Sequence, residues 1–235
     1  MKNNLSREKV ETLSTISKGR HRTNLLKVQE QKALAFFVQR IPEYISSDML
    51  TAIGFMGSVI TASSFILAAH INIYFLLLGV LGFAINWFGD SLDGRVAYYR
   101  NTPRKWYGFS LDITVDWITD ILIGIGYMVY VGSPWYLIGY GFIVMYGWEM
   151  ITTLLRYKIT DKYSIDSGLF GPTEVRIFIS LILVLEVFFE GSIIYSGGVI
   201  CIMLFIANIN DTRNLLRLAD SRDITERTTK MNENK

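Results

Sequence analysis

The sequence predicts an all-α integral membrane protein with six transmembrane helices, an N-terminal interfacial amphipathic helix and both termini in the cytoplasm. Three observations support this fold class. Of the 235 residues, 51% are hydrophobic and only 19% are charged, which is less charge than a soluble domain usually carries. The apolar residues form runs of about 20, the length that crosses a bilayer. None of the 23 Lys and Arg residues lies in the short turns near residues 71, 133 and 191.

Six apolar segments are predicted to span the membrane: 49–70, 72–97, 106–131, 135–156, 172–189 and 193–215. Short turns containing polar residues, Gly or Pro separate the first from the second, the third from the fourth and the fifth from the sixth. The long connections, 98–105 and 157–171, carry charge. Because Lys and Arg occur in these connections and in both tails, the positive-inside rule places all of them in the cytoplasm. We therefore predict a multi-pass protein of the cell membrane.

The chain is predicted to have three regions. Residues 1–48 form a cytoplasmic tail with an amphipathic helix over 25–41, in which Phe36 and Phe37 belong to the apolar face. This helix either lies on the membrane surface or packs on the membrane bundle. Residues 49–217 form the membrane domain, and 218–235 form a flexible cytoplasmic tail. The net charge of +2 gives no indication of nucleic-acid binding, and the single cysteine cannot form a disulfide within the chain.

Four carboxylates lie at the predicted cytoplasmic ends of the second and third segments. Asp90 and Asp93 are three residues apart, and Asp112 and Asp116 are four apart, so each pair occupies one face of its helix. The short connection makes the two helices antiparallel neighbours, and the two acidic faces should meet at one membrane depth. Four facing carboxylates need compensating positive charge. Oxygen ligands suit Mg²⁺ or Mn²⁺, and two such ions would balance the four charges.

Two metals in one site are suited to phosphoryl transfer, because they neutralise charge that develops on phosphate oxygens. Gly94 and Gly108 lie beside the acids, where a missing side chain lets a ligand approach the backbone closely. The alternative is that the acids form ion pairs with Arg95, Arg100 and Arg104 at a helix end. That alternative explains neither the glycines nor the two matching acidic faces.

The stretch 90–116 resembles the signature of the CDP-alcohol phosphotransferases, which reads Asp-x-x-Asp-Gly-x-x-Ala-Arg, a spacer, and Gly-x-x-x-Asp-x-x-x-Asp. This chain has DSLDGRVAY at 90–98 and GFSLDITVD at 108–116. The pattern matches except at Tyr98, where the family has Arg. Arg95 or Arg100 would have to supply that guanidinium, although neither points in the same direction on the helix. Two further stretches, SSDMLTAIGF (46–55) and GPTEVR (171–176), resemble the starts of the family's first and fifth helices.

The resemblance implies metal-dependent transfer of a phosphatidyl group from CDP-diacylglycerol to the hydroxyl of a small polar alcohol, phosphorylated or not, with release of CMP in phospholipid synthesis. It also suggests a homodimer. The ligands that it implies for two divalent cations, Mg²⁺ or Mn²⁺, are Asp90, Asp93, Asp112 and Asp116. Asp116 would also act as the general base. The residues that it implies for the nucleotide are Asp93, Gly94, Ala97 and Gly108.

Other polar residues are weaker candidates. Basic residues expected near the converging cytoplasmic helix ends would hold a phosphate on the acceptor, or would simply follow the positive-inside rule: Arg156, Lys158, Arg176 and Arg213. Asp120 continues the four-residue spacing beyond Asp116 and is expected to contact a residue beside the metal ligands or to pair elsewhere in the bundle, not to bind metal itself. Glu186 is expected to be solvated at the outer end of its helix, and Asp211 to face the site.

Alternative functions remain open at this point. Within the family, the second candidate is transfer of a choline- or ethanolamine-type phosphate from its CDP ester to a lipid hydroxyl. Membrane prenyltransferases also use acid pairs on a metal-bound diphosphate, but they have more helices and a different acid spacing. A non-enzymatic cation transporter would need acids near the midplane and a continuous polar path.

Overall fold

The computed structural model describes residues 26–160 and 171–233, in which every regular element is a helix, so the all-α prediction is confirmed for this part of the chain. The tail 1–25, the two C-terminal residues and most of the predicted 157–171 connection lie outside the described residues. A 3-10 turn, Ile73–Phe75, precedes the third helix. The helices are α1 Lys27–Val38, α2 Ser47–His70, α3 Leu76–Tyr99, α4 Lys105–Val131, α5 Tyr136–Thr160, α6 Pro172–Phe188 and α7 Ser192–Glu233.

Five helices in the described residues are long and apolar enough to cross a membrane: α2, α3 with its preceding turn, α4, α5 and α7. The architecture is that of an all-helical, multi-pass membrane protein. Helix α6 has 17 residues and is therefore about 26 Å long, slightly less than the roughly 30 Å of a hydrocarbon core. The sixth span stays a prediction.

One end of the bundle collects α1, the first residues of α2, α4 and α6, and the last residues of α3. Ser47 donates a hydrogen bond to the carbonyl of Asp93 across 2.9 Å, and Arg104 pairs with Asp48. The backbone N–H of Leu26 donates to Glu174 at the start of α6 across 2.8 Å. We call this the basic end, and the other the opposite end.

Helices α2 and α3 touch backbone to backbone through glycines. A Cβ atom added to Gly89 would lie 2.3 Å from the nitrogen of Gly54 and 2.4 Å from the carbonyl oxygen of Leu50. A Cβ atom on Gly57 would lie 2.5 Å from the nitrogen of Asn86. Small residues at such positions let membrane helices approach closely and gain van der Waals contact. This contact stabilises helix association in lipid, where the hydrophobic effect between helices is weak.

Helices α3 and α4 were predicted to be direct neighbours. Their backbones instead pack mainly on α2 and make few contacts with each other, so that prediction is wrong, although their acidic side chains meet. The physical reason is that α2 presents small residues to both partners. On the α4 side, a Cβ atom on Gly126 would lie 2.8 Å from the carbonyl oxygen of Ala62, and Thr119 donates to Ser58 across 3.0 Å.

Helix α1 packs on the basic end of the bundle, as the second of the two interpretations of 25–41 expected. Leu34 and Val38 are buried against residues of α2 and α3. A buried ion pair joins Glu30 to Arg95 of α3 at 3.8 Å. The prediction of its apolar face is only partly correct, because that face included Phe36, which is 51% exposed.

Helix α7 continues well beyond the predicted end of the sixth segment. The flexible tail predicted for 218–235 is helical as far as Glu233, so this boundary is corrected. The sequence contains no Gly or Pro after Gly198 to stop the helix. Arg222 also donates to the carbonyl of Lys158 across 3.0 Å, at the end of α5, and pairs with Glu226 at 2.9 Å.

Glu186 near the opposite end is buried rather than solvated, which corrects the expectation from its position. Its carboxylate accepts a hydrogen bond from the hydroxyl of Tyr130 across 2.8 Å, and further ones from the turn into α7. Those donors are the backbone of Gly191 and Ile193 and the hydroxyl of Ser192. An anion that caps the start of a helix in this way is stabilised by the helix dipole.

Gly89→Ala is expected to destabilise the protein, because its methyl group would overlap the backbone of Gly54 and Leu50. Overpacking of this kind costs about 1–3 kcal/mol. The thermal unfolding midpoint in detergent should fall. Gly198→Ala is the matched control, since a Cβ atom there meets open space. Equal midpoints for the two variants would contradict the close contact of α2 and α3.

Candidate functional site

Three of the four predicted acids converge at the basic end. Asp90 extends from α3, and Asp112 and Asp116 extend from α4 one turn apart. One carboxylate oxygen from each lies within 4.8 Å of the others. All three side chains are half-buried. Several hard oxygen donors at this spacing are the ligand set that Mg²⁺ and Mn²⁺ prefer, so the residues present fit a divalent cation.

The acids line a single small cavity. Helix α2 supplies one wall, because both α3 and α4 pack on it. The lining residues are Thr51, Gly54, Phe55, Asn86, Asp90, Asp93, Asp112, Val115 and Asp116. The site is therefore built from three helices, and the contribution of α2 was not predicted from the sequence.

Asp93 lines the same cavity but is held differently from the other three acids. It is buried, and it accepts a hydrogen bond from the hydroxyl of Thr51 across 2.8 Å. Its other oxygen accepts from the backbone N–H of Gly94. Asp93 is not one of the three residues whose oxygens converge. Its carboxylate is oriented by α2 and lies beside the converging group.

A chain of hydrogen bonds joins the three helices below the acids. The side-chain amide of Asn86 donates to the carbonyl of Gly54 across 3.2 Å and to the hydroxyl of Ser58 across 2.9 Å. Ser58 in turn accepts from Thr119 of α4. Such bonds help to fix helix positions in a membrane. Sequence reasoning missed these residues, although the alternation of Gly and small polar residues along α2 was a signal for them.

Arg176 is the predicted acceptor-binding residue that reaches the acids. Its guanidinium pairs with the carboxylate of Asp90 at 2.6 Å. The start of α6 is fixed by Glu174, which accepts hydrogen bonds from the backbone N–H groups of Gly171 and Leu26 at 3.1 and 2.8 Å. One positive charge is thereby placed against the acidic cluster from a fourth helix.

The other three basic candidates lie away from the acids. Arg156 pairs with Asp211 of α7 at 3.2 Å, so Asp211 is engaged there. The side chains of Lys158 and Arg213 are exposed. Of these four cations, Arg176 therefore reaches the acidic cluster, and Arg156 instead joins α5 to α7.

The predicted nucleotide-binding residues flank the acids along the chain. Gly94 and Ala97 are half-buried on α3, and Gly108 is exposed, with nothing within 4 Å of an added Cβ atom. Tyr98 is half-buried. The space around Gly108 leaves its backbone open to a ligand.

Two arginines could have replaced the guanidinium that Tyr98 lacks, but both are directed elsewhere. Arg95 pairs with Glu30 of α1. Arg100 donates to the carbonyl of Ile45 across 2.6 Å and to that of Pro42 across 2.9 Å, in the connection between α1 and α2. Both arginines thus hold α1 and its connection in place.

Asp120 lies one turn deeper in the bundle than Asp116. Its side chain is 5% exposed, and within the described part of the chain its Oδ2 atom has no hydrogen-bond partner. A buried carboxyl group in this position is costly unless it is neutral or paired. The acidic face of α4 therefore extends below the cavity.

No protein-family model matches this chain, and no curated protein shows significant similarity to it.

Mn²⁺ is expected to raise the thermal unfolding midpoint of the protein, because an ion that binds only the folded state stabilises it, by about 2.7 kcal/mol at a hundredfold excess over Kd. Asp112→Asn should reduce this Mn²⁺-dependent increase. Asp211→Asn is the control, since Asp211 pairs with Arg156 away from the cluster. An equal increase in both variants would contradict a cation site at Asp112.

Proposed function

We propose that this protein transfers a phosphatidyl group from CDP-diacylglycerol to the hydroxyl of a small polar alcohol, phosphorylated or not, and releases CMP. The observation that carries the proposal is the convergence of Asp90, Asp112 and Asp116 within 4.8 Å, inside a cavity at the basic end of a membrane bundle. These acids occupy the motif positions at which the resemblance implies metal ligands. The proposal also includes assembly of the protein as a homodimer.

The site suits transfer from a diphosphate for electrostatic reasons. Two divalent cations, when bound, would neutralise the charge on the diphosphate and orient it. Asp90, Asp112 and Asp116 are placed to hold them, and Asp93 is placed beside them by Thr51. Arg176 adds a guanidinium that fits a phosphate oxygen.

The reaction requires one proton acceptor. Asp116 takes the proton of the acceptor hydroxyl, and the resulting oxygen attacks the phosphorus that carries the diacylglycerol group. The bond from that phosphorus to the oxygen shared with the cytidine phosphate breaks, and CMP leaves with the bonding electrons. A carboxylate can fulfil this role when it lies within hydrogen-bond distance of the hydroxyl.

A membrane position also suits the two parts of the donor. The cytidine diphosphate is soluble in water and would enter from the basic end, whereas the diacylglycerol tails stay among apolar helix surfaces. A cation transporter would need a continuous polar path. The larger cavity deeper in the bundle has an almost wholly apolar lining, which favours the enzyme over the transporter.

The direct test is release of CMP from CDP-diacylglycerol by the purified protein with Mg²⁺ or Mn²⁺. Inositol phosphate, glycerol phosphate, inositol and serine would be supplied one at a time. Metal-dependent release with one acceptor supports the proposal and identifies the acceptor. Reaction of CDP-choline or CDP-ethanolamine with diacylglycerol instead would establish the alternative transfer, and no reaction of folded protein with any pair would contradict both.

Asp116→Asn is expected to lower kcat for CMP release by at least about a hundredfold, the lower range for loss of a general base. Binding of the CDP donor, measured by equilibrium dialysis with Mg²⁺, should be weakened much less. Glu149→Gln is a control on a half-buried acid of α5. Undiminished turnover by Asp116→Asn would refute its role as the base.

Arg176→Gln is expected to raise the KM of a phosphate-bearing substrate by roughly tenfold or more, because a charge-assisted hydrogen bond contributes about 1.5–3 kcal/mol. Arg156→Gln is the matched control, since it also removes an arginine that is paired with an aspartate. Steady-state kinetics on both variants would measure the difference. If the two variants changed KM equally, Arg176 would have no special contact with substrate.

A further inference from the structure

Tyr146 of α5 is directed toward the interior of the bundle. Phe142 lies one turn earlier on the same face of α5, and the two rings are 6.2 Å apart. Gly139, which precedes Tyr146 by two turns, shares this face as well. Phe142 and Gly139 both line the apolar cavity between the helices. The face that they define is therefore an inward face, and Tyr146 belongs to it.

The packing of α5 on α4 sets the depth of Tyr146 in the bundle. The two helices are antiparallel neighbours joined by a short turn. A Cβ atom added to Gly124 of α4 would lie 2.4 Å from the side chain of Ile143. From this contact, one turn toward the basic end leads to Tyr146 on α5 and to Asp120 on α4. Tyr146 therefore lies level with Asp120 and close to Asp116, the next acid of that face.

The hydroxyl of Tyr146 lies among the charged groups of the acidic cluster. It interacts electrostatically with the carboxylates of Asp116, Asp120 and Asp90, and with the guanidinium of Arg176. Among these charged groups, Asp116 has the largest effect on the hydroxyl. A fifth helix, α5, therefore contributes to the site built by α2, α3, α4 and α6.

A phenolic hydroxyl supplies a hydrogen-bond donor, which the ionised acids cannot provide. Other donors in the lining of the cavity are engaged within the protein. The hydroxyl of Thr51 donates to Asp93, and the side-chain amide of Asn86 makes two hydrogen bonds to α2. Among residues 26–160 and 171–233, the hydroxyl of Tyr146 has no hydrogen-bond partner. It is therefore available to a ligand at the cluster.

We propose that the hydroxyl of Tyr146 donates a hydrogen bond to the phosphate group that the protein transfers. The inference rests on the proposed function and adds a further substrate-binding residue to it. Phosphate oxygens accept hydrogen bonds, and a bond to a charged oxygen is stronger than one between neutral groups. The position of Asp116 identifies the phosphate. Because Asp116 takes the proton of the attacking hydroxyl, a group close to Asp116 is also close to the phosphorus that is attacked.

Tyr146→Phe removes the hydroxyl and keeps the ring. The kcat/KM for CMP release should fall by about tenfold to a hundredfold, the loss expected for one hydrogen bond to a charged group. Tyr140→Phe is the matched control, because it removes a hydroxyl from a 58% exposed side chain of the same helix. Equal kcat/KM values for the two variants would overturn the inference.

The thermal unfolding midpoint separates a contact with phosphate from an effect on the cations. Tyr146→Phe should retain the full Mn²⁺-dependent increase in the midpoint, because the proposal gives the hydroxyl no role in holding a metal. Loss of that increase would show that the hydroxyl acts on the cation site instead, and the inference would then be wrong.

Fluorine NMR tests the contact without turnover and without loss of the hydroxyl. Tyr146 is replaced by 3-fluorotyrosine in the full-length protein in detergent, and spectra are recorded with Mg²⁺ alone and then with Mg²⁺ and pyrophosphate. Pyrophosphate is the probe for a diphosphate. It should shift the resonance of the label at Tyr146 and leave a label at Tyr140 unchanged. An unshifted resonance at Tyr146 would count against the inference, even if Tyr146→Phe failed to fold.

Failure of the inference and failure of the proposed function give different results. If no acceptor supports CMP release by the wild-type protein, the proposed reaction fails, and the fluorine resonance still shows whether the hydroxyl of Tyr146 meets a phosphate. If the wild-type protein and Tyr146→Phe release CMP equally well, the reaction stands and Tyr146 does not bind the transferred group.

Discussion

The contact between the backbones of α2 and α3 determines the geometry of the acidic cluster. Gly89 lies directly against Gly54, and Asp90 is the next residue along α3. One turn earlier on α2, Thr51 reaches the carboxylate of Asp93. Any side chain at Gly89 would move the acids of α3 away from α2. Because α4 also packs on α2, the distance between the acids of α3 and those of α4 would change as well.

Glu186 and the acidic cluster differ in how their charge is compensated. Glu186 accepts hydrogen bonds from four donors of the protein itself, and so it is a structural group. At the acidic cluster, three carboxylates converge against one guanidinium. Converging carboxylates repel one another unless cations or protons balance them. That difference, more than the number of acids, is what makes the cluster the candidate functional site.

The sequence predicted the elements of this fold well, because each helix has its own apolar run and its own turn signals. The acids of α3 and α4 were also found from their spacing along single helices. The sequence did not predict which helices would touch. The packing of both α3 and α4 on α2 depends on contacts between small residues distant in sequence, and helical spacing reports only the faces of one helix. The burial of Glu186 was missed for the same reason, since its donors belong to the next turn and to Tyr130.

Helix α1 lies outside the membrane segments, yet it is fastened to two of the helices that form the site. Glu30 holds Arg95 of α3, and the backbone at Leu26 holds Glu174 of α6. Asp90 and Arg176 belong to these same two helices. By contacting both helices, α1 helps to fix the distance between the carboxylate of Asp90 and the guanidinium of Arg176. The spacing of these charges is thereby controlled in part by a helix outside the candidate membrane-spanning segments.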